Sequence, residues 1–205
     1  MTGEICIRQR NVLACGHGVL ERVQLERRQF DGHRQSLTRE IYDSGDGAAI
    51  LLYDPKRSLV VLVRQFRAPA YLKEGRECMI EVCAGRLEGE DAESCIIKEA
   101  GEETGFLVRN PRRLFEAYMS PGCFAERLTF FAAEYSADSQ SGKGGGRADE
   151  GEDIEVLELT LDEALAMIGS GEIADAKTIL LLQYAKLAGL LPGGDAAVLS
   201  QAESM

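Results

Sequence analysis

The chain has 205 residues and a net charge of −11, which makes it a poor partner for nucleic acid, whose phosphates need clustered lysine and arginine. Its 45% hydrophobic content is enough for a sizeable core, and no apolar run reaches membrane-spanning length. Met1-Thr2-Gly3-Glu4 lacks the basic and apolar regions of a secretion signal, so a cytoplasmic protein is expected.

Residues 19–25 and 36–42 read as strands of a small N-terminal β arm, turning at Asp31-Gly32. Asp43-Ser44-Gly45-Asp46-Gly47 is a turn-rich junction. Two strongly apolar strands, 48–53 and 59–66, flank Asp54-Pro55-Lys56-Arg57 and form a core hairpin. A short strand, 79–83, enters a glycine loop. Residues 91–103 follow with helical spacing of Ala92, Cys95, Ile96 and Ala100, and Gly105 is a natural stop. Strands are expected at 114–118 and 128–134. The stretch from Ser139 to Gly146 has nothing to bury and is expected to be mobile, ending in Asp149-Glu150-Gly151-Glu152-Asp153. Strand 154–159 follows, then a helix capped by Thr160 and running to about residue 168, then a helix at 177–187 with Gly189 as its stop. Residues 192–205 are rich in glycine, alanine and serine and read as a disordered tail. The expected division is an arm at 1–42, a main domain at 43–191 and that tail. Helices covering the faces of a sheet give an α/β sandwich.

The six cysteines include no C-x-x-C pair and read as reduced thiols, and His17 and His33 lie far in sequence from the acidic cluster. That cluster is the informative feature. Glu99, Glu102 and Glu103 fall on one helix face, where like charges repel, and only Lys98 stands beside them. A hard divalent cation held by oxygen ligands, Mg²⁺ or Mn²⁺, accounts for three stacked carboxylates. In Arg64-Gln65-Phe66-Arg67, alternation sends Arg64 and Phe66 one way and Gln65 and Arg67 the other. An arginine there reads equally as a phosphate partner or as half of a structural ion pair.

The run from Cys83-Ala84-Gly85 through Lys98-Glu99-Ala100-Gly101-Glu102-Glu103-Thr104-Gly105 resembles the box of the Nudix hydrolases, which cut nucleoside diphosphates linked to another group. Gly85, Glu99, Glu102, Glu103 and Gly105 hold its positions, Lys98 stands where arginine is usual, and Asp91 or Glu90 takes the early acidic position. The resemblance implies an α/β/α sandwich with a mixed sheet. It implies Mg²⁺ (Mn²⁺ as substitute) on Glu99, Glu103 and the Ala84 carbonyl, with backbone at Gly85 close to metal and phosphate. Glu102, beside them on the helix, is the second catalytic candidate, next in line as the base if the acidic loop does not supply it. A base for the attacking water is sought in the acidic loop, where Glu152 is preferred to Glu150 because it adjoins a regular strand; it also counts as a possible ligand. The plainer alternative is an acidic surface loop.

Further segments resemble the GDP-mannose pyrophosphatase branch of that family: Arg39-Glu40 with Tyr42-Asp43, Arg64 to Arg67, Tyr118-Met119-Ser120-Pro121-Gly122, Gly144-Gly145-Gly146, the strand after Glu152, and Gly171-Glu172-Ile173 with Lys177-Thr178. This resemblance implies cleavage of GDP-mannose to GMP and mannose 1-phosphate by a homodimer. Arg39 and Glu40 would contact the nucleotide from the arm, Arg67 the pyrophosphate, and Glu126 and Lys177 the substrate. His17 stands where the branch carries a tyrosine near the base. Two alternatives stay open: a pyrophosphatase for ADP-ribose or another nucleotide sugar, and a catalytically silent nucleotide sensor. An intact set of metal carboxylates argues against the sensor.

Overall fold

The computed structural model describes residues 5–192, so the expected tail at 192–205, apart from Pro192, lies outside the described residues. The chain divides into two compact units, the first comprising residues up to Asp46 with Tyr118–Leu128, the second Gly47–Ala117 with residues from Thr129 onward.

The first unit is built on an antiparallel sheet of β1 (Ile5–Cys15), β2 (Val19–Arg28) and β3 (Arg34–Asp43), in that order. The β2–β3 turn forms as its sequence dictates: Gly32 takes φ +90°, and the Asp31 carboxylate accepts from the His33 N–H at 3.0 Å. Within these strands Val23 alone is buried. Ion pairs Arg8–Glu26, Arg10–Glu21 and Arg22–Glu40 link neighbouring strands at the solvent-facing surface, where water and salt screen them. β1 was not separable from sequence. Irregularities between Ile7 and Gln9 and between Val12 and Ala14 shift its register, which breaks the two-residue period a strand would show.

The second unit holds a mixed seven-stranded sheet. Its strands are β4 (Gly47–Asp54), β5 (Leu59–Gln65), β6 (Met79–Glu81), β7 (Cys83–Arg86), β8 (Arg112–Tyr118), β9 (Arg127–Glu134) and β10 (Glu155–Thr160). The order is β10-β5-β4-β9-β8, with β6 paired to β5 and β7 to β4. The single expected strand at 79–83 is therefore two, because the chain changes partner at Val82, whose N–H instead donates to the Thr178 hydroxyl at 2.8 Å.

The helices are α1 (Ala68–Glu74), α2 (Ala92–Thr104), α3 (Leu161–Ser170) and α4 (Ala176–Leu187). Alternate side chains of a strand face opposite sides, and on β4 both sets are buried: Ala48, Ile50 and Leu52 join Ile96 and Ala100 of α2 in one apolar cluster, while Ala49 and Leu51 are fully buried outside it. α4 also packs on β4, with Leu181 and Leu182 fully buried. Layers on both faces of a central sheet give the α/β/α sandwich. α1 buries no residue, so it left no helical periodicity to read; a proline in its first turn starts it and Gly75, at φ +73°, ends it. Among the described residues no helix is long and apolar enough to cross a membrane.

Candidate active site

α2 begins where Asp91 caps it, its carboxylate accepting from the N–H groups of Glu93 and Ser94 at 3.0 Å. Asp91, which the box resemblance places in its early acidic position, thus serves the helix terminus. Glu102 and Glu103 fall in the last turn, which contains no basic residue, at the end where the helix dipole is negative. Dipole and mutual repulsion both work against these carboxylates.

Glu103 is 2% exposed, and its Oε2 has no hydrogen-bond partner. Burial pushes its pKa from 4.5 up to about 8; the Cys83 thiol, donating to the carboxylate, pulls down, while Glu99 and Glu152 push further up. Gly85 has a specific reason to be glycine. A Cβ there would stand 2.6 Å from Glu99 Oε1 and 2.5 Å from its carboxyl carbon, so the Glu99 carboxylate lies flush against the β7 backbone beside Ala84.

The glycine-rich segment does not hang free as its composition implies. Gly145 N–H donates to the Glu103 carbonyl at 2.9 Å and Gly146 N–H to the Glu102 carbonyl at 3.0 Å. Orphan carbonyls at the helix end are thereby satisfied. Gly144 and Gly146 adopt φ +65° and +75°, and a side chain on Gly144 would meet the Glu103 carbonyl. The loop also fixes Glu152, whose Oε2 accepts from the Arg147 N–H at 2.8 Å. Glycine is required here for close backbone approach rather than for a hinge.

A second charged cluster was invisible in sequence. Glu81, 3% exposed, accepts two hydrogen bonds from Arg67 (2.9 and 3.1 Å) and one from Lys177 Nζ (2.6 Å). Asp175, the N-cap of α4, accepts from Lys177 at 3.0 Å and from the Thr178 hydroxyl at 2.6 Å. Burial pushes the Glu81 pKa up, but the Arg67 and Lys177 contacts prevail and hold it below its ordinary value. Arg67 and Lys177 are therefore placed together, with Arg67 also within electrostatic reach of Glu103. No spacing rule links residues 67, 81, 175 and 177; only the fold does.

A groove of about 480 Å³ is lined by Arg64, Phe66, Arg67, Glu152, Asp153 and Glu155, among others. Arg64 is bound to Glu155 at 2.8 Å. Another cavity of about 440 Å³, around Lys56, Arg109 and Tyr135, contains none of these groups. The groove, not this cavity, adjoins the charged apparatus.

The second unit thus brings together Ala84, Gly85, Glu99, Glu102, Glu103 and Glu152, with Arg67 and Lys177 nearby. His17, Arg39, Glu40 and Glu126 belong to the first unit. There, His17 is exposed, Arg39 donates to the Thr38 carbonyl at 2.8 Å, and Glu40 pairs with Arg22 at 2.7 Å.

Among the described residues no three His, Cys, Asp or Glu side chains form a metal cage on their own. A hard divalent cation does not need one, since it keeps waters or substrate oxygens in its shell. The residues fit such an open site on two counts: Glu103 presents a buried oxygen without a partner, and Glu99 is pressed against backbone at Gly85 within electrostatic range of it.

The NUDIX domain family profile matches residues 43–194. The GDP-mannose pyrophosphatases of Shigella dysenteriae serotype 1 (strain Sd197) and Escherichia coli O157:H7 are each 46% identical over 193 residues, which is 93% of this chain and 100% of theirs. A crystal structure of an ADP compounds hydrolase superposes with a TM-score of 0.68 at 18% identity, covering 91% of this chain and 96% of that one, a likeness of fold. With the profile spanning most of its length and relatives 46% identical over 93% of it, the chain belongs to the Nudix family.

Proposed function

We propose that this enzyme hydrolyses the pyrophosphate bond of a nucleotide sugar, GDP-mannose in the first place, to give GMP and mannose 1-phosphate. The observation that carries the chemistry is the buried, unpartnered Glu103 oxygen grouped with Glu99 and Glu152. The choice of sugar nucleotide rests on the relatives, which match along their whole length.

Glu99, Glu103, Glu152 and the Ala84 carbonyl would hold Mg²⁺, with Mn²⁺ as a substitute. When bound, that ion neutralises phosphate charge and makes water acidic enough to attack phosphorus. Glu152, fixed by the Arg147 N–H, orients or deprotonates that water, and Glu102 adds negative charge on the same helix face. Arg67 and Lys177 face the developing phosphate charge from the Glu81 cluster. Gly85 keeps the β7 backbone free of a side chain where the substrate approaches.

The first unit would supply the nucleotide contacts, from His17, Arg39, Glu40 and Glu126, across a homodimer. Support comes from β1, where Ile5, Ile7 and Val12 are 57–68% exposed on a sheet with almost no core of its own. All six cysteines are free thiols, which fits a cytoplasmic enzyme.

The test is Mg²⁺-dependent release of GMP and mannose 1-phosphate, measured against a panel that includes ADP-ribose and ADP- and UDP-sugars. GDP-mannose is expected to show the highest kcat/KM. Preference for ADP-ribose would reassign the substrate within the same chemistry; no turnover of any member would overturn the enzymatic reading.

A further inference from the structure

The cavity of about 440 Å³ in the second unit is lined by the β4–β5 turn, the end of β9 and the chain that follows α2. Part of its lining is apolar: Pro55, and Leu107, which is 53% exposed. Its buried polar groups are satisfied. Asp54 accepts from the backbone N–H groups of Lys56 and Arg57 and from Arg57 Nε at 2.6 Å. The Tyr135 hydroxyl donates to Glu158, and the Arg57 guanidinium lies 5.5 Å from the ring centre. Four exposed charged groups around the same cavity differ. Among the described residues no side chain of Lys56, Arg109, Glu134 or Asp138 makes a hydrogen bond or an ion pair, although both signs line one space.

A concavity of this size, with an apolar surface and a few polar groups around it, has the form of a small-molecule site. Two cations suit a phosphate. Two carboxylates beside them repel a bare anion, so a ligand that fits must also bring hydrogen-bond donors. We propose that this cavity is a second, non-catalytic site for a phosphate monoester that carries hydroxyl groups, a sugar phosphate or a nucleoside monophosphate. Lys56 and Arg109 hold the phosphate, Glu134 and Asp138 accept from the hydroxyls, and Leu107 and Pro55 take the apolar face of the ring. The wall at residues 136–139 is fixed in place: the Ser136 N–H donates to Ser139 Oγ at 3.1 Å, and the Leu107 N–H to the Ser139 carbonyl at 2.9 Å. Both products of the proposed reaction have this chemistry, so the site would fill as they accumulate; that link alone rests on the hydrolase reading.

The experiment is titration of the ¹⁵N-labelled full chain, with Mg²⁺ present, by mannose 1-phosphate, GMP and inorganic phosphate, read at the amide resonances of Leu107, Arg109 and residues 136–139. No turnover is needed, so failure of the hydrolase reading leaves the result intact. At least one ester should shift these amides to saturation. In the double variant Lys56→Ala, Arg109→Ala its Kd should rise at least about 10-fold, the loss expected for charge-assisted hydrogen bonds. In Arg67→Ala, which alters the candidate active site, the same shifts should persist. Glu134→Gln with Asp138→Asn should weaken the ester and tighten inorganic phosphate, because the first loses acceptors and the second loses repulsion. The proposal is overturned if neither ester moves these amides, if the Lys56 and Arg109 double variant keeps native affinity, or if the shifts vanish in Arg67→Ala. Inorganic phosphate binding as tightly as the esters, or esters binding more tightly once the two carboxylates are neutralised, would overturn the assignment to a hydroxylated ester.

Discussion

Glu81 and Glu103 are both buried in the same unit, at 3% and 2% exposure, yet the fold treats them oppositely. Glu81 receives Arg67 and Lys177 and titrates below its ordinary value. Glu103 receives a thiol, faces other carboxylates, keeps an empty oxygen and is pushed up to about 8. A buried charge must be paired or it shifts toward neutrality. The chain supplies its own counter-charge at one site and omits it at the other, and the proposed cation would fill that omission. The two cations that satisfy Glu81, Arg67 and Lys177, are held beside that cluster.

The most severe break is Glu103→Gln. Loss of this ligand charge should reduce kcat/KM by about 10⁴-fold, beyond the roughly 10²–10³ typical of a single positioned donor. Metal-free Tm should rise above pH 8, where the native carboxylate is charged, and change little at pH 5; a fall at both pH values would mean that Glu103 is structural. Glu152→Gln should lower kcat by about 10²–10⁴ with little change in substrate binding, measured in steady state. The same change at Glu150 should be far milder. The reverse ranking would assign the water to the other carboxylate.

Glu81→Gln probes the satisfied partner. Breaking this cluster strands two cations, and urea unfolding should show a loss of about 3 kcal/mol, toward the low end for buried pairs because Arg67 is 43% exposed. A neutral result would mean that Arg67 and Lys177 find other partners. The smallest expected effect is Gly146→Ala. At φ +75°, with a Cβ 2.5 Å from Glu152 Oε2, it should cost about 1–2 kcal/mol and slow turnover by moving Glu152. Native kcat in this variant would separate the loop from catalysis.

The box was legible because its chemistry is local: Glu99, Glu102 and Glu103 share a face through helical spacing alone, and β4 and β5 announce themselves as apolar runs. The Glu81 cluster was not legible, since Arg67, Glu81 and Lys177 meet only after β5, β6 and α4 have packed. The glycine-rich loop was misread for a related reason. Composition records that Gly142–Gly146 has no side chains to bury, but not that its N–H groups would find the last carbonyls of α2. β1 escaped through its bulges, and α1 because it buries nothing.

Thermal unfolding with and without Mg²⁺, at pH 5 and pH 8.5, in the native chain and in Glu103→Gln, tests the central claim most directly. Folding raises the Glu103 pKa from 4.5 to about 8, so its favourable, protonated contribution is complete below about 4.5 and is lost as pH climbs through 8. A shift of that size corresponds to several kcal/mol. Metal-free native protein should therefore lose Tm between the two pH values more steeply than the variant. Mg²⁺ should restore most of the loss at pH 8.5, do little at pH 5 where it must displace a proton, and leave Glu103→Gln almost unchanged. An equal Mg²⁺ gain in the native chain and the variant would contradict the account, because the buried oxygen would then have nothing to do with the cation.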